Sequence, residues 1–193
     1  MKVVAILLAA GSATRFGSDK LLHALPHDVP IAVQAARHLK AAVEDGILAV
    51  VRPDSVRLKE SLEKENCRVV VCENAAQGMG ASLACAVRAA GDVGGYLVAL
   101  GDMPFIRASS IAAVRDALAG GAQLAAPYFR GRRGHPVGIS AKFRAELESL
   151  QGDEGAKKIL SAGASNLVKV PVGDPGVIRD IDTPGDLAPP LVV

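Results

Sequence analysis

The sequence contains no tryptophan, and aromatic residues make up only 3% of it, although half of its residues are apolar. Alanine, valine and leucine therefore carry the apolar content, which is typical of helices packed on buried strands. Neither sign of charge is in large excess, because 22 Lys and Arg residues nearly balance 20 Asp and Glu residues and leave a net charge of +2. This balance indicates no general attraction to nucleic acid or to a membrane surface.

Cysteine and long apolar runs are equally scarce. The three cysteines, Cys67, Cys72 and Cys85, form no CxxC pair and are odd in number, which argues against a disulfide framework and favours a reduced cytoplasm. No apolar run reaches the roughly 20 residues of a membrane-spanning helix. Lys2 and the apolar run 3–10 imitate a secretion signal, but one lysine and so short a run are a weak match. A cytoplasmic protein is the favoured interpretation.

Short buried strands alternate with helices along the 193 residues, a length that suits one domain. Strands are predicted at 3–8, 47–52, 68–72, 96–100, 123–128, 136–139 and 167–172. Helices are predicted from Pro30 to Gly46 and at 54–66, 79–90, 107–119, 140–150 and 154–162, with a basic loop at 130–134. This alternation predicts an α/β fold with a mostly parallel sheet covered by helices on both faces.

Glycine and polar residues concentrate after three of the predicted strands, at 9–20, 73–82 and 101–105. In open α/β sheets a ligand binds at the carboxyl ends of the strands, where the strand order reverses. The sequence therefore predicts a ligand site built from these three segments.

The first of these segments lies within "ILLAAGSATRFGSDK", residues 6–20. Its glycine spacing fits neither the dinucleotide fingerprint GxGxxG nor the phosphate loop GxxxxGK[ST]. A turn of small residues followed by Arg15 and Lys20 would nevertheless let the backbone approach a triphosphate and let two cations neutralise it. The competing interpretation is a surface loop with solvated charges.

Two further segments carry aspartates. In "LGDMPF", residues 100–105, Asp102 follows a strand and is well placed to hold Mg²⁺, or else to cap the helix that begins near 107. In "RDIDTPGDL", residues 179–187, Asp180 and Asp182 share a face if the chain is extended. The alternative there is that Asp182 or Thr183 caps the short helix that follows.

The first loop resembles the signature loop of the nucleotidyltransferases that take a nucleoside triphosphate and release pyrophosphate. The matching residues are Leu8, Ala9, Ala10, Gly11, Ser12, Arg15, Phe16, Gly17 and Lys20, with Thr14 where serine is commoner. The resemblance implies that Leu8, Ala9, Ala10, Gly11 and Ser12 bind the nucleotide. It further implies that Arg15 and Lys20 contact the phosphates, and that Asp102 and Asp182 hold the metal, with Asp180 in reserve for Asp182.

Three other stretches resemble the molybdenum cofactor branch of that family. "ENAAQGMGASLACAV", residues 73–87, offers Gly78, Met79 and Ser82 for the base and ribose, although a glycine turn with a buried serine is a serious alternative. "RRGHPVG" places His135 near the acceptor, where a structural histidine is the alternative. "QGDEGAKKIL" offers Gly152, Asp153, Gly155 and Lys157 to the acceptor. Lys157 replaces the usual arginine, so a two-pronged phosphate grip becomes a point contact.

The resemblance covers residues 6–187 and is closest to the cytidylyltransferases that act on molybdopterin. It implies one Rossmann-like nucleotidyltransferase domain over 1–193, with Mg²⁺ as cofactor and a nucleoside triphosphate, CTP by preference, as substrate. It also implies molybdopterin or the molybdenum cofactor as acceptor, and a molybdoenzyme or its chaperone as a partner. The alternatives are a nucleotidyltransferase for sugar or other phosphates, and a non-catalytic protein that binds or delivers the cofactor.

Overall fold

The computed structural model describes residues 1–11, 19–153 and 155–188. Its strands are β1 (Val3–Leu8), β2 (Ile47–Val51), β3 (Arg68–Val71), β4 (Gly95–Leu100), β5 (Leu124–Phe129), β6 (Arg132–Arg133), β7 (Val137–Ser140) and β8 (Leu167–Pro171). Its helices are α1 (Ile31–Ala42), α2 (Val56–Lys64), α3 (Met79–Ala89), α4 (Ala108–Ala119), α5 (Arg144–Glu148) and α6 (Lys157–Ala162). Within the described ranges, no helix has the length and apolar character needed to cross a bilayer.

All eight strands belong to one sheet in the order β3-β2-β1-β4-β7-β5-β6, with β8 beside β5. The pairs β1–β2, β2–β3, β1–β4 and β5–β8 are parallel, while β7 runs antiparallel to both β4 and β5. The predicted α/β architecture with a mostly parallel sheet is therefore confirmed. The chain leaves β1 on one side toward β2 and β3 and returns on its other side as β4, so the strand order reverses between β1 and β4.

Helices cover both faces of the sheet, as the sequence predicts. Successive side chains of a strand point to opposite faces. Val3, Ala5 and Leu7 accordingly pack in a core cluster with α1, α2 and α4, whereas Val4 and Ile6 pack in a second cluster with α3, α5 and α6. A strand that is apolar at every position is what burial on both faces requires.

The region from 130 to 162 departs from the sequence-based prediction. The expected basic loop at 130–134 is the turn of a hairpin, because β6 pairs with the end of β5 through Tyr128 and Phe129. The expected helix at 140–150 is a 3₁₀ turn, Ala141–Phe143, followed by the short α5. The last predicted helix begins only at Lys157. Short amphipathic segments leave helix type and boundaries to tertiary packing, which explains these differences.

Asp174 is a buried carboxylate that the sequence did not mark. Its side chain is 2% exposed. It accepts hydrogen bonds from the backbone N–H of Arg107 at 2.8 Å and the Ser110 hydroxyl at 2.8 Å. It also accepts the backbone N–H of Gly176 at 2.9 Å. These donors include free groups at the start of α4, so Asp174 caps that helix from a distant part of the chain.

We expect Asp174→Asn to lower the free energy of unfolding by about 2–4 kcal/mol, because a buried acceptor of three hydrogen bonds loses its charge and presents an amide N–H to donors. Urea denaturation followed by circular dichroism measures this change. Asp54→Asn is the matched control, since the Asp54 side chain is 74% exposed and its ion pair with Arg52 lies at the surface. A loss no larger than that of the control would contradict the capping role.

Candidate functional site

The carboxyl ends of β1 and β4 approach each other closely, at the point where the strand order reverses. The backbone N–H of Gly101 donates to the Leu8 carbonyl at 2.9 Å. A side chain at Gly101 would lie 3.1 Å from that oxygen and 3.3 Å from the Ala9 methyl. Glycine is therefore the residue that best allows the two strand ends to sit this close.

Four residues of the predicted nucleotide loop are described. Leu8, Ala9 and Ala10 are buried, with exposed fractions of 8%, 3% and 6%. Gly11 is exposed. Ser12 and Arg15, which the sequence also assigns to the nucleotide and its phosphates, lie outside the described residues.

Three of the predicted site residues meet in one cluster. The Lys20 ammonium donates to Asp102 Oδ2 at 2.8 Å and lies 3.5 Å from Asp182 Oδ1. The side chains of Lys20, Asp102 and Asp182 are 11%, 25% and 52% exposed, so the cluster opens to solvent on the Asp182 side. Two carboxylates with hard oxygen donors thus face one another across a single cation.

Each member of the cluster is held by its own backbone. Lys20 begins a 3₁₀ turn whose next residue, Leu21, is buried in the core. The carbonyl of Asp102 accepts the backbone N–H of Ile181 at 2.9 Å, and the Ile181 side chain is fully buried. This bond places the following residue, Asp182, beside Asp102.

The structure decides two alternatives that the sequence left open. The start of α4 is capped by Asp174 rather than by Asp102. Thr183, and not Asp182, caps the next short helix, because Asp186 accepts the Thr183 backbone N–H and hydroxyl, both at 2.8 Å. These hydrogen bonds from Thr183 also lower the pKa of Asp186. The carboxylates of Asp102 and Asp182 thus face Lys20 instead of capping a helix.

Arg179 also supports the placement of the two aspartates, although sequence reasoning did not single it out. Its guanidinium donates to the Asp186 carbonyl at 3.2 Å and lies 5.4 Å from the centre of the Phe105 ring. The first contact lies within the segment that carries Asp182, and the second holds that segment against the one that carries Asp102. The signal was present, because Arg179 and Phe105 lie inside the two aspartate motifs.

His135 lies next to the cluster, at the start of the segment that leads into β7. Its backbone N–H donates to the Val177 carbonyl at 2.8 Å, and its Nδ1 is enclosed without a hydrogen-bond partner among the described residues. Burial lowers the pKa of His135, and the carbonyl of Val98 and the charges of Asp102 and Asp180 oppose that shift only in part. The surroundings of the ring therefore disfavour its charged form.

The segments predicted to bind the nucleotide and the acceptor form a single unit. Gly80 donates its backbone N–H to the Gly152 carbonyl at 2.7 Å. Gly78 has a φ of +122°, and a side chain there would overlap Asp153 and the Gly152 backbone. A side chain at Gly155 would come within 3.1 Å of the sulfur of Met79, which is itself 43% exposed. The close contact explains the glycines at 78 and 80, while Gly152 has open space around it and is favoured by its φ of +64°.

Two residues of these segments differ in accessibility. Ser82 is 4% exposed, and its hydroxyl points to the Gly78 carbonyl at 3.5 Å, as the buried-serine alternative expects. A direct contact of Ser82 with nucleotide stays a prediction. Lys157 is exposed at the start of α6, where its ammonium is open to a ligand.

Comparison with known proteins identifies the family. Residues 5–168 match the MobA-like NTP transferase domain. The chain belongs to this family. The match confirms the resemblance to the molybdenum cofactor nucleotidyltransferases that the sequence motifs indicate.

Individual relatives agree with that assignment. The purine catabolism protein PucB of Bacillus subtilis (strain 168) is 28% identical over 192 residues, covering 94% of this chain and 92% of PucB. Rv0371c of Mycobacterium tuberculosis H37Rv has a TM-score of 0.83 at 24% identity, over 96% of each chain. Molybdopterin-guanine dinucleotide biosynthesis protein A of Archaeoglobus fulgidus has a TM-score of 0.68 at 18% identity, over 95% of this chain and 94% of that one. These structural similarities confirm the fold.

We expect the imidazole of His135 to titrate below its ordinary pKa of 6.5, because burial disfavours the charged ring. Two-dimensional ¹H–¹⁵N NMR of the imidazole nitrogens between pH 4.5 and 8 measures the midpoint, and a His135→Gln variant assigns the signal. A midpoint at or above 6.5 would contradict an environment of the ring that disfavours its charged form.

Proposed function

We propose that this protein transfers a nucleotidyl group, CMP from CTP, to the terminal phosphate of molybdopterin or its molybdenum-loaded form and releases pyrophosphate. The observation that carries the proposal is the meeting of Lys20, Asp102 and Asp182 at the strand-order reversal of a MobA-like domain. Two carboxylate ligands for a metal and one cation for phosphate lie at the edge of the sheet where ligands bind. This arrangement suits the transfer of a nucleotidyl group between phosphates.

The proposed reaction is an in-line displacement at the α-phosphorus. An oxygen of the acceptor's terminal phosphate forms the new P–O bond, and the bond from the α-phosphorus to the bridging oxygen of pyrophosphate breaks. A phosphate oxygen is already a nucleophile, so this chemistry needs no activating base. The chain's contribution is to position the two substrates and to neutralise charge, through Lys20 and, in the sequence-based assignment, Arg15.

The donor set fits a small divalent cation. Mg²⁺ is commonly bound by one or two carboxylates together with substrate phosphates, and Asp102 and Asp182 supply two carboxylates around a site where an ammonium already sits. A structure of Rv0371c in complex with manganese, with a TM-score of 0.79 at 22% identity over 96% of each chain, also supports divalent metal use. Asp102 and Asp182 would hold the Mg²⁺, which would supply positive charge to offset the charge that develops on the leaving pyrophosphate.

The remaining predicted residues are assigned by their place around the cluster. We propose that the backbone of 8–12 holds the nucleotide together with Gly78, Met79 and Ser82. The residues proposed to contact the acceptor are His135, Gly152, Asp153, Gly155 and Lys157. The contact between the 78–80 and 151–155 segments supports placing both substrates side by side. The rest of the proposal is a cytoplasmic, single-domain enzyme that acts without nucleic acid or membrane and passes its product to a molybdoenzyme or its chaperone.

The decisive experiment measures pyrophosphate release with each of the four nucleoside triphosphates, using molybdopterin or a panel of sugar phosphates as acceptor. Release with CTP and molybdopterin is the expected result. Release only with a sugar phosphate would replace the acceptor, and tight molybdopterin binding without pyrophosphate release would favour a delivery protein.

We expect CTP to be used faster than GTP, and Ala10→Gly to narrow the difference. The Ala10 methyl restricts the backbone beside the nucleotide, and one methyl contributes about 1–3 kcal/mol of discrimination. Ala9→Gly is the matched control, because Ala9 is equally buried but packs on the opposite face of the sheet. Turnover at subsaturating CTP and GTP gives the ratio. Faster use of GTP by the unaltered protein would contradict the cytidylyl assignment.

Asp102→Asn is expected to reduce turnover below about a tenth, a barrier increase of at least roughly 1.4 kcal/mol, while the protein stays folded. A neutral amide holds a divalent cation much more weakly than a carboxylate does. Asp116→Asn is the control, because Asp116 is 63% exposed and pairs with Arg115 on α4. Turnover above a tenth of the unaltered rate would remove Asp102 from the metal site.

A further inference from the structure

Lys20 occupies the space between the two carboxylates that the proposed function assigns to a divalent cation. Its ammonium is 2.8 Å from Asp102 Oδ2 and 3.5 Å from Asp182 Oδ1, and its side chain is only 11% exposed. Lys20 is thus already paired with the two carboxylates, and the phosphate contact is a second role that the same ammonium has to fill.

The Lys20 ammonium and a divalent metal ion compete for the same carboxylate oxygens. A small divalent cation binds carboxylate oxygens at about 2.0–2.1 Å, so an ion on Asp102 Oδ2 would lie against an ammonium hydrogen-bonded to that same oxygen. Two cations at this separation repel each other strongly in a partly enclosed site. A metal ion that binds here therefore has to displace the Lys20 ammonium.

The fold lets the side chain move while its backbone stays in place. Leu21, the next residue, is buried in the core and anchors the turn. Lysine carries its charge on a flexible four-carbon stem, so the ammonium can swing without rearranging the chain. The phosphates of an incoming nucleotide offer it new oxygen partners to replace the carboxylates it leaves.

We propose that Lys20 is a resident counterion of Asp102 and Asp182 that yields its place only when metal and nucleotide arrive together. Free metal is then bound weakly, because it must displace Lys20 with no new partner for the ammonium. The metal–nucleotide complex is bound well, because its phosphates accept the displaced ammonium. The proposal rests on the proposed function for the identity of the metal site, and it adds a mechanism that couples metal loading to nucleotide binding.

The test measures how tightly the full chain binds Mn²⁺, with the electron paramagnetic resonance signal of free Mn²⁺ as the readout. Without nucleotide, Lys20→Met is expected to bind Mn²⁺ about tenfold or more tightly than the unaltered protein, because a competing positive charge is gone. With the non-reactive analogue α,β-methylene CTP present, the unaltered protein is expected to bind Mn²⁺ more tightly than Lys20→Met does, since only the unaltered protein offers an ammonium to the phosphates. Lys20→Gln is a second neutral variant, and Lys59→Met removes one exposed charge far from the site as control.

The outcomes separate the two proposals. Unchanged, weaker or undetectable Mn²⁺ binding by both Lys20 variants without nucleotide would overturn the counterion role. In the double variant that combines Lys20→Met with Asp102→Asn, the gain in Mn²⁺ affinity seen for Lys20→Met without nucleotide is expected to disappear. If the gain persists in that double variant, the metal lies elsewhere, and the proposed metal site fails together with the counterion role. If the gain is lost but the unaltered protein releases no pyrophosphate, the counterion role stands and the proposed reaction fails.

Discussion

The parallel pairing of β1 with β4 is the interaction on which the site depends. Six residue pairs, from Val3 with Gly95 to Leu8 with Leu100, bring the returning chain back beside the strand that it left. Both strands are buried by helices on their two faces, so their register is strongly specified. The pairing therefore sets the distance between the residues that follow Leu8 and those that follow Leu100, and it creates the reversal in strand order where a ligand can enter.

Charge balance determines the arrangement inside that opening. Asp102 and Asp182 come from segments eighty residues apart, and two carboxylates so placed need a cation between them. In this structure the cation is the ammonium of Lys20. The backbone bond from Ile181 to the Asp102 carbonyl holds the carboxylates in place independently of that cation. The backbone geometry at the two aspartates is thus set by the fold and not by the cation.

Close backbone contacts connect the turn before α3 with the segment before α6. The two segments touch where Gly78 and Gly80 approach the backbone of Gly152, so a side chain at either of these two glycines would collide with it. Cores transmit small displacements because they are tightly packed. A displacement of one of these segments is therefore passed on to the other.

The sequence by itself determined the alternation of strands and helices, because buried strands require continuous apolar runs such as Val3–Leu8 and helices require a 3.6-residue repeat. Its glycine-rich loops and aspartate motifs also identified Lys20, Asp102 and Asp182 as candidates. Local patterns carry no information about strand order, however, so the antiparallel insertion of β7 and the hairpin at β6 emerged only from the tertiary structure. Asp174 was missed for the same reason, since two of its three partners lie more than sixty residues away. The resemblance already favoured Asp182 over Asp180, but the placement of Asp182 beside Lys20 is a tertiary result, because it depends on a hydrogen bond between backbone groups that the fold alone brings together.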